Sequence, residues 1–210
     1  MKKVYVLFSG GKDSSLSALL LKNLGYDVEL VTVNFKILDT YRYAQETADI
    51  LKMPHHVEFL DREIVERAVE IILRDGYPAR GIQYLHRRVI ETLADKYKVI
   101  ADGIRRDDRV PRLSHSEIQS IEMKKNIEYI NPLIGFGHRT VKYLVDRYFI
   151  LSQGESEHIL KSDYESEIRA LIRAKGKDPR DYFPKHTQSR VIGLKKGEIT
   201  WALQDHWGKS

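Results

Sequence analysis

Cysteine is absent from this chain of 210 residues. The absence excludes disulfide bonds, thiolate metal sites, iron–sulfur clusters, persulfide carriers and cysteine nucleophiles within the chain. Long apolar runs are absent too: no window approaches the roughly 18 apolar residues of a membrane span, and the apolar start at residues 4–8 is too short for a signal peptide. No segment is low in complexity or visibly repeated. We therefore expect a cytoplasmic protein without a membrane partner.

The excess of positive charge is small, with 35 lysine and arginine residues against 30 acidic ones and a net charge of +5. The segment from Lys175 to Lys196 holds seven basic and two acidic residues, so its own net charge equals that of the whole chain. A second basic group follows the predicted fourth strand and consists of Arg105, Arg106, Arg109 and Arg112. Such segments are either a solvated surface or a contact surface for a polyanion, for which RNA is the candidate.

Apolar runs and helical patterns alternate along the first 150 residues. Strand patterns occur at residues 4–8, 28–35, 56–60, 98–102 and 127–133. Helix patterns occur at residues 16–24, 41–51, 61–73, 81–97, 114–125 and 140–149. This alternation predicts parallel βαβ units in an open, doubly wound, mostly parallel five-stranded α/β sheet. After residue 150 the alternation stops, so we predict an α/β domain at 1–150 and a small helical and basic appendage at 151–210, with one helix at 164–174.

The sequence FSGGKDSS, residues 8–15, lies between the first strand and the first helix. Ligands of open parallel sheets bind beyond the carboxyl ends of the strands, where a helix N-terminus offers free N–H groups to an anion. Glycines at 10 and 11 let phosphate oxygens approach the backbone. The Walker A and dinucleotide patterns do not fit, because the glycines are adjacent and an acid follows the lysine. The loop therefore predicts a phosphate site of another kind.

This loop resembles the S-G-G-x-D-S loop of the PP-loop, or N-type, ATP pyrophosphatases of the adenine nucleotide alpha hydrolase-like superfamily, which have a Rossmann-like sheet of the HUP type. The resemblance covers about residues 1–150. It implies an enzyme that cleaves ATP between the α and β phosphates and adenylates an acceptor oxygen. It also implies that the pyrophosphate portion is held by Ser9, Gly10, Gly11, Ser14 and Ser15, with Lys12 at the variable position. Family members are often homodimers.

The resemblance assigns roles to three further segments. Adenine is expected at the end of the second strand, where backbone groups near Val33 and Asn34 would read it. In the sequence ADGIRRDD, Gly103 and Asp107 match the spacing of an acid-containing loop of the family. The sequence NPLIGFGHRTV matches a Pro-Leu followed by a basic helix start, and Arg139 would steady charge on the α-phosphate there.

The acidic residues of these loops have two interpretations. Asp13 either caps the first helix or acts in catalysis, together with Lys12, near Mg²⁺. Asp107, alone or with Asp108, either binds Mg²⁺ or belongs to a surface salt-bridge loop. The histidines show no zinc-ligand spacing, so we expect no zinc site.

The sequence thus predicts an ATP- and Mg²⁺-dependent activating enzyme whose acceptor is an oxygen of a tRNA base. Because the chain has no cysteine, the nitrogen or sulfur nucleophile would come from an external donor. Two alternatives stay open: an amide-forming synthetase of the asparagine or NAD type that acts on a small carboxylate, and a nucleotide-binding module without catalysis.

Overall fold

The computed structural model describes residues 1–108, 110–155, 159 and 161–195. Arg109 and Lys196, members of the predicted basic groups, lie outside these residues. Within the part of the chain that the structure describes, no helix is long and apolar enough to cross a membrane.

Five parallel strands form one sheet in the order β3-β2-β1-β4-β5. The strands are β1 (Lys3–Leu7), β2 (Asp27–Asn34), β3 (His55–Phe59), β4 (Val99–Ala101) and β5 (Glu128–Ile130). The helices between and after them are α1 (Lys12–Asn23), α2 (Tyr41–Leu51), α3 (Arg62–Asp75), α4 (Ala79–Leu93), α5 (His115–Lys125) and α6 (His138–Tyr148). The predicted doubly wound α/β sheet is confirmed. Strand order reverses between β1 and β4, and ligands of such sheets bind at that switch point.

The first βα unit follows from a short sequence pattern. Val4 and Val6 of β1 are fully buried, and Tyr5 and Leu7 are half-buried, as expected for a central strand. Leu16 and Leu19 of α1 pack in the same core. The helix ends before Gly25, whose φ of +88° is the left-handed conformation that terminates helices. The unit therefore fixes the glycine loop at the centre of the sheet's carboxyl edge.

The C-terminal segment, which follows α6, packs against the sheet domain. It contains β6 (Phe149–Glu155), α7 (Tyr164–Ala174) and β7 (Thr187–Leu194), and β6 pairs antiparallel with β7. The predicted helix at 164–174 is α7. Val191 of β7 donates its N–H to Gly10 O (3.0 Å) and accepts a hydrogen bond from Thr47 Oγ1 (2.9 Å). The division of the chain near residue 150 stays a prediction, for which a truncation experiment is given below.

Candidate functional site

A cleft of about 410 Å³ lies at the carboxyl edge of the sheet, at the switch point between β1 and β4. Its wall is formed by the loop after β1, the end of β2, the loop after β4 and two stretches of the C-terminal segment, residues 161–165 and 186–189. Among the predicted site residues, its lining includes Ser9, Gly11, Lys12, Asp13, Ser14, Val33 and Gly103. The structure thus brings most of the predicted nucleotide-binding residues together.

The glycine loop presents an open helix N-terminus to this cleft. Gly11 is the N-cap of α1, and no side chain caps the helix there. Ser15 N bonds to Gly11 O (3.1 Å), whereas the N–H groups of the three residues before it have no acceptor within the helix. These donors stand at the positive end of the helix dipole and suit an anion. Ser9 Oγ accepts the Gly11 N–H (3.3 Å) and keeps the loop closed.

Two glycines are required by geometry. Gly10 has a φ of +76°, a conformation that L side chains rarely adopt. Gly103 lies directly against the first turn of α1: a Cβ at this position would be 2.6 Å from Ser14 N and 2.8 Å from Asp13 C. Because these contacts are with backbone atoms, only glycine lets the loop after β4 approach α1 so closely.

Asp13 belongs to a cluster of side chains that carry both positive and negative charges. Its Oδ2 is 2.9 Å from Lys12 Nζ and 3.8 Å from Arg105 Nε, while its Oδ1 is buried and has no hydrogen-bond partner among the described residues. Arg105 also pairs with Asp108 (2.5 Å), and that hydrogen bond raises the pKa of the guanidinium. Two carboxylates and two cations therefore share one side of the cleft.

Asp107 lies outside the cleft lining and caps α6. Its Oδ2 accepts the His138 N–H (2.6 Å), and this hydrogen bond, followed by the contact with Arg106, lowers the pKa of Asp107. Asp108 lines the cleft instead. No group of three or more histidine or carboxylate side chains in the described ranges is arranged to hold a metal ion. The predicted metal role of Asp107 stays a prediction.

Near the end of β2, the backbone N–H and C=O groups of Val33 face away from β3, on the side of the cleft. Asn34 O accepts the Leu60 N–H on the β3 side (3.0 Å). Because backbone groups alternate along a strand, Val33 directs its N–H and C=O the opposite way, toward β1. The pairing of β1 with β2 extends only as far as Val31, so Val33 lies beyond it, where a planar base could bond to the strand.

Four other predicted residues lie off the lining, namely Gly10, Ser15, Asn34 and Arg139. The Asn34 side chain donates to Leu38 O and accepts from Lys36 N (both 2.8 Å), which shapes the turn after β2. Ser15 is fully buried, and Arg139 is exposed in the first turn of α6. The roles assigned to these residues stay predictions.

A buried carboxylate in the C-terminal segment was not predicted. Glu167 of α7 accepts the N–H groups of Phe35 and Ile37 (each 3.1 Å), just after β2. Burial raises the pKa of Glu167, and the backbone hydrogen bonds oppose that shift. In the sequence, Glu167 is only an acidic residue among the apolar residues of a helix. That pattern does not show which groups it contacts.

The C-terminal segment also adds a polar wall to the cleft. Lys161 Nζ is 2.8 Å from Asp163 Oδ2, and Glu165 Oε2 is 3.1 Å from both His186 Nε2 and Gln188 Nε2. Burial favours a raised pKa for Asp163, but Lys161 and hydrogen bonds from Ser166 outweigh it and the pKa is lowered. The hydrogen bond to Glu165 raises the pKa of His186. None of these residues was among the predicted site residues, because they lie in the segment predicted to be an appendage.

Two further cleft residues form a buried pair. His86 of α4 and Asp102, which follows β4, are each 3% exposed, and His86 Nε2 is 3.1 Å from Asp102 Oδ2. Tyr129 of β5 donates its hydroxyl to the same carboxylate oxygen. No sequence pattern indicated this pair, since a single histidine on an apolar helix face is usually a core residue.

Comparison with known proteins gives one matching family and several relatives. A model described as "Family of unknown function (DUF7411)" matches residues 1–193. An uncharacterized protein of Methanocaldococcus jannaschii is 56% identical over 193 residues, which cover 92% of this chain and 96% of that protein. A crystal structure described as a predicted subunit of tRNA methyltransferase from the same organism matches with a TM-score of 0.90 and 55% identity, and covers 95% of this chain and 100% of that one. The tRNA-specific 2-thiouridylase MnmA of Hydrogenovibrio crunogenus is 41% identical over 88 residues, which cover 37% of this chain and 23% of that enzyme.

Proposed function

The chain belongs to the DUF7411 family of unknown function. From the geometry of its cleft, we propose that it is a tRNA-modifying enzyme of the PP-loop type. Such an enzyme cleaves ATP between the α and β phosphates and adenylates a tRNA base. One observation carries this proposal. The SGGKDS loop presents the uncapped N-terminus of α1 to a cleft at the switch point of the sheet, with Gly103 packed against it. That arrangement suits a polyphosphate at the place where open sheets bind nucleotides.

The orientation of ATP follows from the two ends of the cleft. The triphosphate would bond to the N–H groups of Lys12, Asp13 and Ser14, and adenine would bond to the backbone of Val33. The acceptor oxygen then attacks the α-phosphorus, the bond between the α and β phosphates breaks, and pyrophosphate leaves with the electron pair. Fixed N–H groups and the Lys12 ammonium stabilise the charge that develops on pyrophosphate, so catalysis is mainly positioning and electrostatics.

The carboxylates of the cleft fit a magnesium ion. Mg²⁺ is usually held by one or two carboxylates together with substrate phosphates. Asp13 Oδ1 is buried without a partner among the described residues, and Asp108 lines the same cleft. These two side chains would hold the ion, which would supply Lewis-acid polarisation of the phosphates.

RNA is the preferred acceptor for two reasons. The relatives named above include proteins described as a tRNA methyltransferase subunit and a tRNA 2-thiouridylase. Arg106 and Arg112 are exposed beside the lining residues of the β4 loop, and Lys175, Lys177 and Lys185 are exposed on the C-terminal segment. These cations suit contacts with the phosphate backbone of RNA. The nucleophile that displaces AMP would come from an external nitrogen or sulfur donor, since the chain has no cysteine.

The test is the product formed from α-labelled ATP and Mg²⁺, with and without bulk tRNA of Methanocaldococcus jannaschii. We expect AMP whose formation increases with tRNA and decreases at least 100-fold in Asp13→Asn. The matched control is Asp95→Asn, an exposed acid outside the cleft, which should retain the activity of the unaltered protein.

Other products would point to other functions. ADP would refute cleavage between the α and β phosphates. AMP formation that is indifferent to tRNA would support the alternative of a small carboxylate as acceptor. ATP binding without turnover would support a nucleotide-binding module.

A further inference from the structure

The buried pair His86–Asp102 lies on the wall of the proposed ATP cleft without a part in nucleotide binding. Both residues line the cleft, and the ring of Tyr164 lies 6.1 Å from the His86 ring, centroid to centroid. Asp102 is linked directly to the start of α1, which follows the glycine loop. The next residue, Gly103, packs on Ser14, and Ser17 Oγ donates a hydrogen bond to Asp102 O (2.7 Å). The pair is therefore fixed relative to the site of phosphoryl chemistry.

The hydrogen bonds of Asp102 determine which nitrogen of His86 carries a proton. Asp102 Oδ1 accepts the Ile104 N–H (3.0 Å), and Oδ2 accepts the Tyr129 hydroxyl. Because both oxygens of Asp102 already accept hydrogen bonds, we assign Asp102 as the acceptor and His86 Nε2 as the donor of their contact. In the neutral ring Nδ1 then carries a lone pair. That atom is buried and has no hydrogen-bond partner among the described residues.

A buried lone pair of this kind suits a ligand that donates a proton. Adenylation of a carboxylate requires no proton loss. Adenylation of the carbonyl oxygen of a lactam, in which a ring N–H adjoins the C=O, yields a cation unless that N–H proton leaves. The imidazole of His86, which a hydrogen bond to Asp102 holds in place, therefore favours a lactam over a carboxylate as the acceptor.

We infer that His86, positioned by Asp102 and Tyr129, is the proton acceptor for a lactam nucleobase of uracil or guanine type that is adenylated in the cleft; this rests on the proposed function. The carbonyl oxygen forms a bond to the α-phosphorus, the α–β phosphoanhydride bond breaks, and pyrophosphate leaves with its electron pair. The ring N–H proton passes to His86 Nδ1, and the resulting imidazolium is paired with the Asp102 carboxylate.

The first test separates proton transfer from structure. His86→Gln retains an amide that can donate to Asp102 but cannot take up a proton. We expect the kcat for tRNA-dependent AMP formation to fall by about 100-fold or more, while the affinities for α,β-methylene-ATP and for tRNA stay within about twofold of the unaltered protein. Added imidazole should restore part of the rate to His86→Ala. A kcat for His86→Gln within threefold of the unaltered protein would overturn the inference.

The second test needs no variant. A water-soluble carbodiimide modifies the ring N–H of unpaired uracil and guanine, and this treatment should abolish the ability of bulk tRNA to stimulate AMP formation. Mild alkali removes the carbodiimide from uracil and should restore the stimulation that depends on uracil sites. Dimethyl sulfate methylates ring nitrogens that lack a proton, namely cytosine N3, adenine N1 and guanine N7, and leaves the lactam N–H groups of uracil and guanine intact. It should therefore leave at least half of the stimulation. Equal loss with both reagents would overturn the inference. If untreated tRNA gives no AMP with the unaltered protein, the proposed function itself fails.

Discussion

Gly103→Ala is the substitution that most sharply tests the packing of the β4 loop against the glycine loop and the start of α1. The new Cβ would lie 2.6 Å from Ser14 N, where ordinary contact begins at 3.4 Å, so the β4 loop and α1 must separate by roughly 0.8 Å. Neither side yields easily: β4 pairs with β1 and β5, and the opposing atoms are the backbone of α1. Such overpacking costs about 1–3 kcal/mol.

Two measurements follow from that strain. Urea unfolding should show the loss of stability, and calorimetric titration with α,β-methylene-ATP should show affinity reduced about tenfold or more, which corresponds to ~1.4 kcal/mol. Gly135→Ala is the matched control, because nothing lies within 4 Å of its added Cβ, and its stability should change by no more than about 0.5 kcal/mol. A Gly103→Ala protein that matches the unaltered protein in both measurements would refute the proposed packing.

Three other predictions concern stability. Glu167→Gln should lower the free energy of unfolding by about 1–2 kcal/mol in urea titrations, because one of the oxygens that hold the turn after β2 is lost; an unchanged midpoint would contradict it. Burial, followed by the charge of His56, lowers the pKa of His55 from 6.5 to about 4. Between pH 6.5 and pH 4 the native state therefore binds fewer protons than the unfolded state, so the stability of the protein falls as the pH drops through this range. The full shift corresponds to about 3 kcal/mol, which solvent screening of the partly exposed ring reduces to about 1–2; urea titrations at pH 7 and 4.5 should show a smaller difference in His55→Gln. Removal of residues 151–210 takes away four buried apolar side chains of α7 and the following turn, worth about 6–12 kcal/mol together, so cooperative thermal unfolding should be lost; a truncated protein that folds and binds ATP would support a separate appendage.

The sheet and the position of the glycine loop were predictable because their signals are local. The alternation of strand and helix patterns fixes the parallel topology, and Gly10, with its φ of +76°, stands where the sequence places a turn into a helix. In each case neighbouring residues carry the whole signal. The order of the strands, with β1 at the centre, was not predicted.

The other side of the cleft depends on contacts between residues far apart in the chain. Glu167 contacts residues more than 100 positions earlier, and the paired residues of β6 and β7 are 32 positions (Glu155 and Thr187) to 45 positions (Phe149 and Leu194) apart in the chain. His86 and Asp102 come from different elements and meet only in the folded chain. No periodicity or spacing encodes such pairs, so the polar wall and the buried histidine could not be found from the sequence.

Two ATP analogues, each assayed with bulk tRNA, distinguish cleavage between the α and β phosphates from cleavage between the β and γ phosphates. β,γ-Methylene-ATP keeps the α–β oxygen bridge, and α,β-methylene-ATP does not. We expect AMP to form from the β,γ analogue and the α,β analogue to bind without turnover. Formation of a diphosphate product from the α,β analogue, with the β,γ analogue inert, would contradict this expectation.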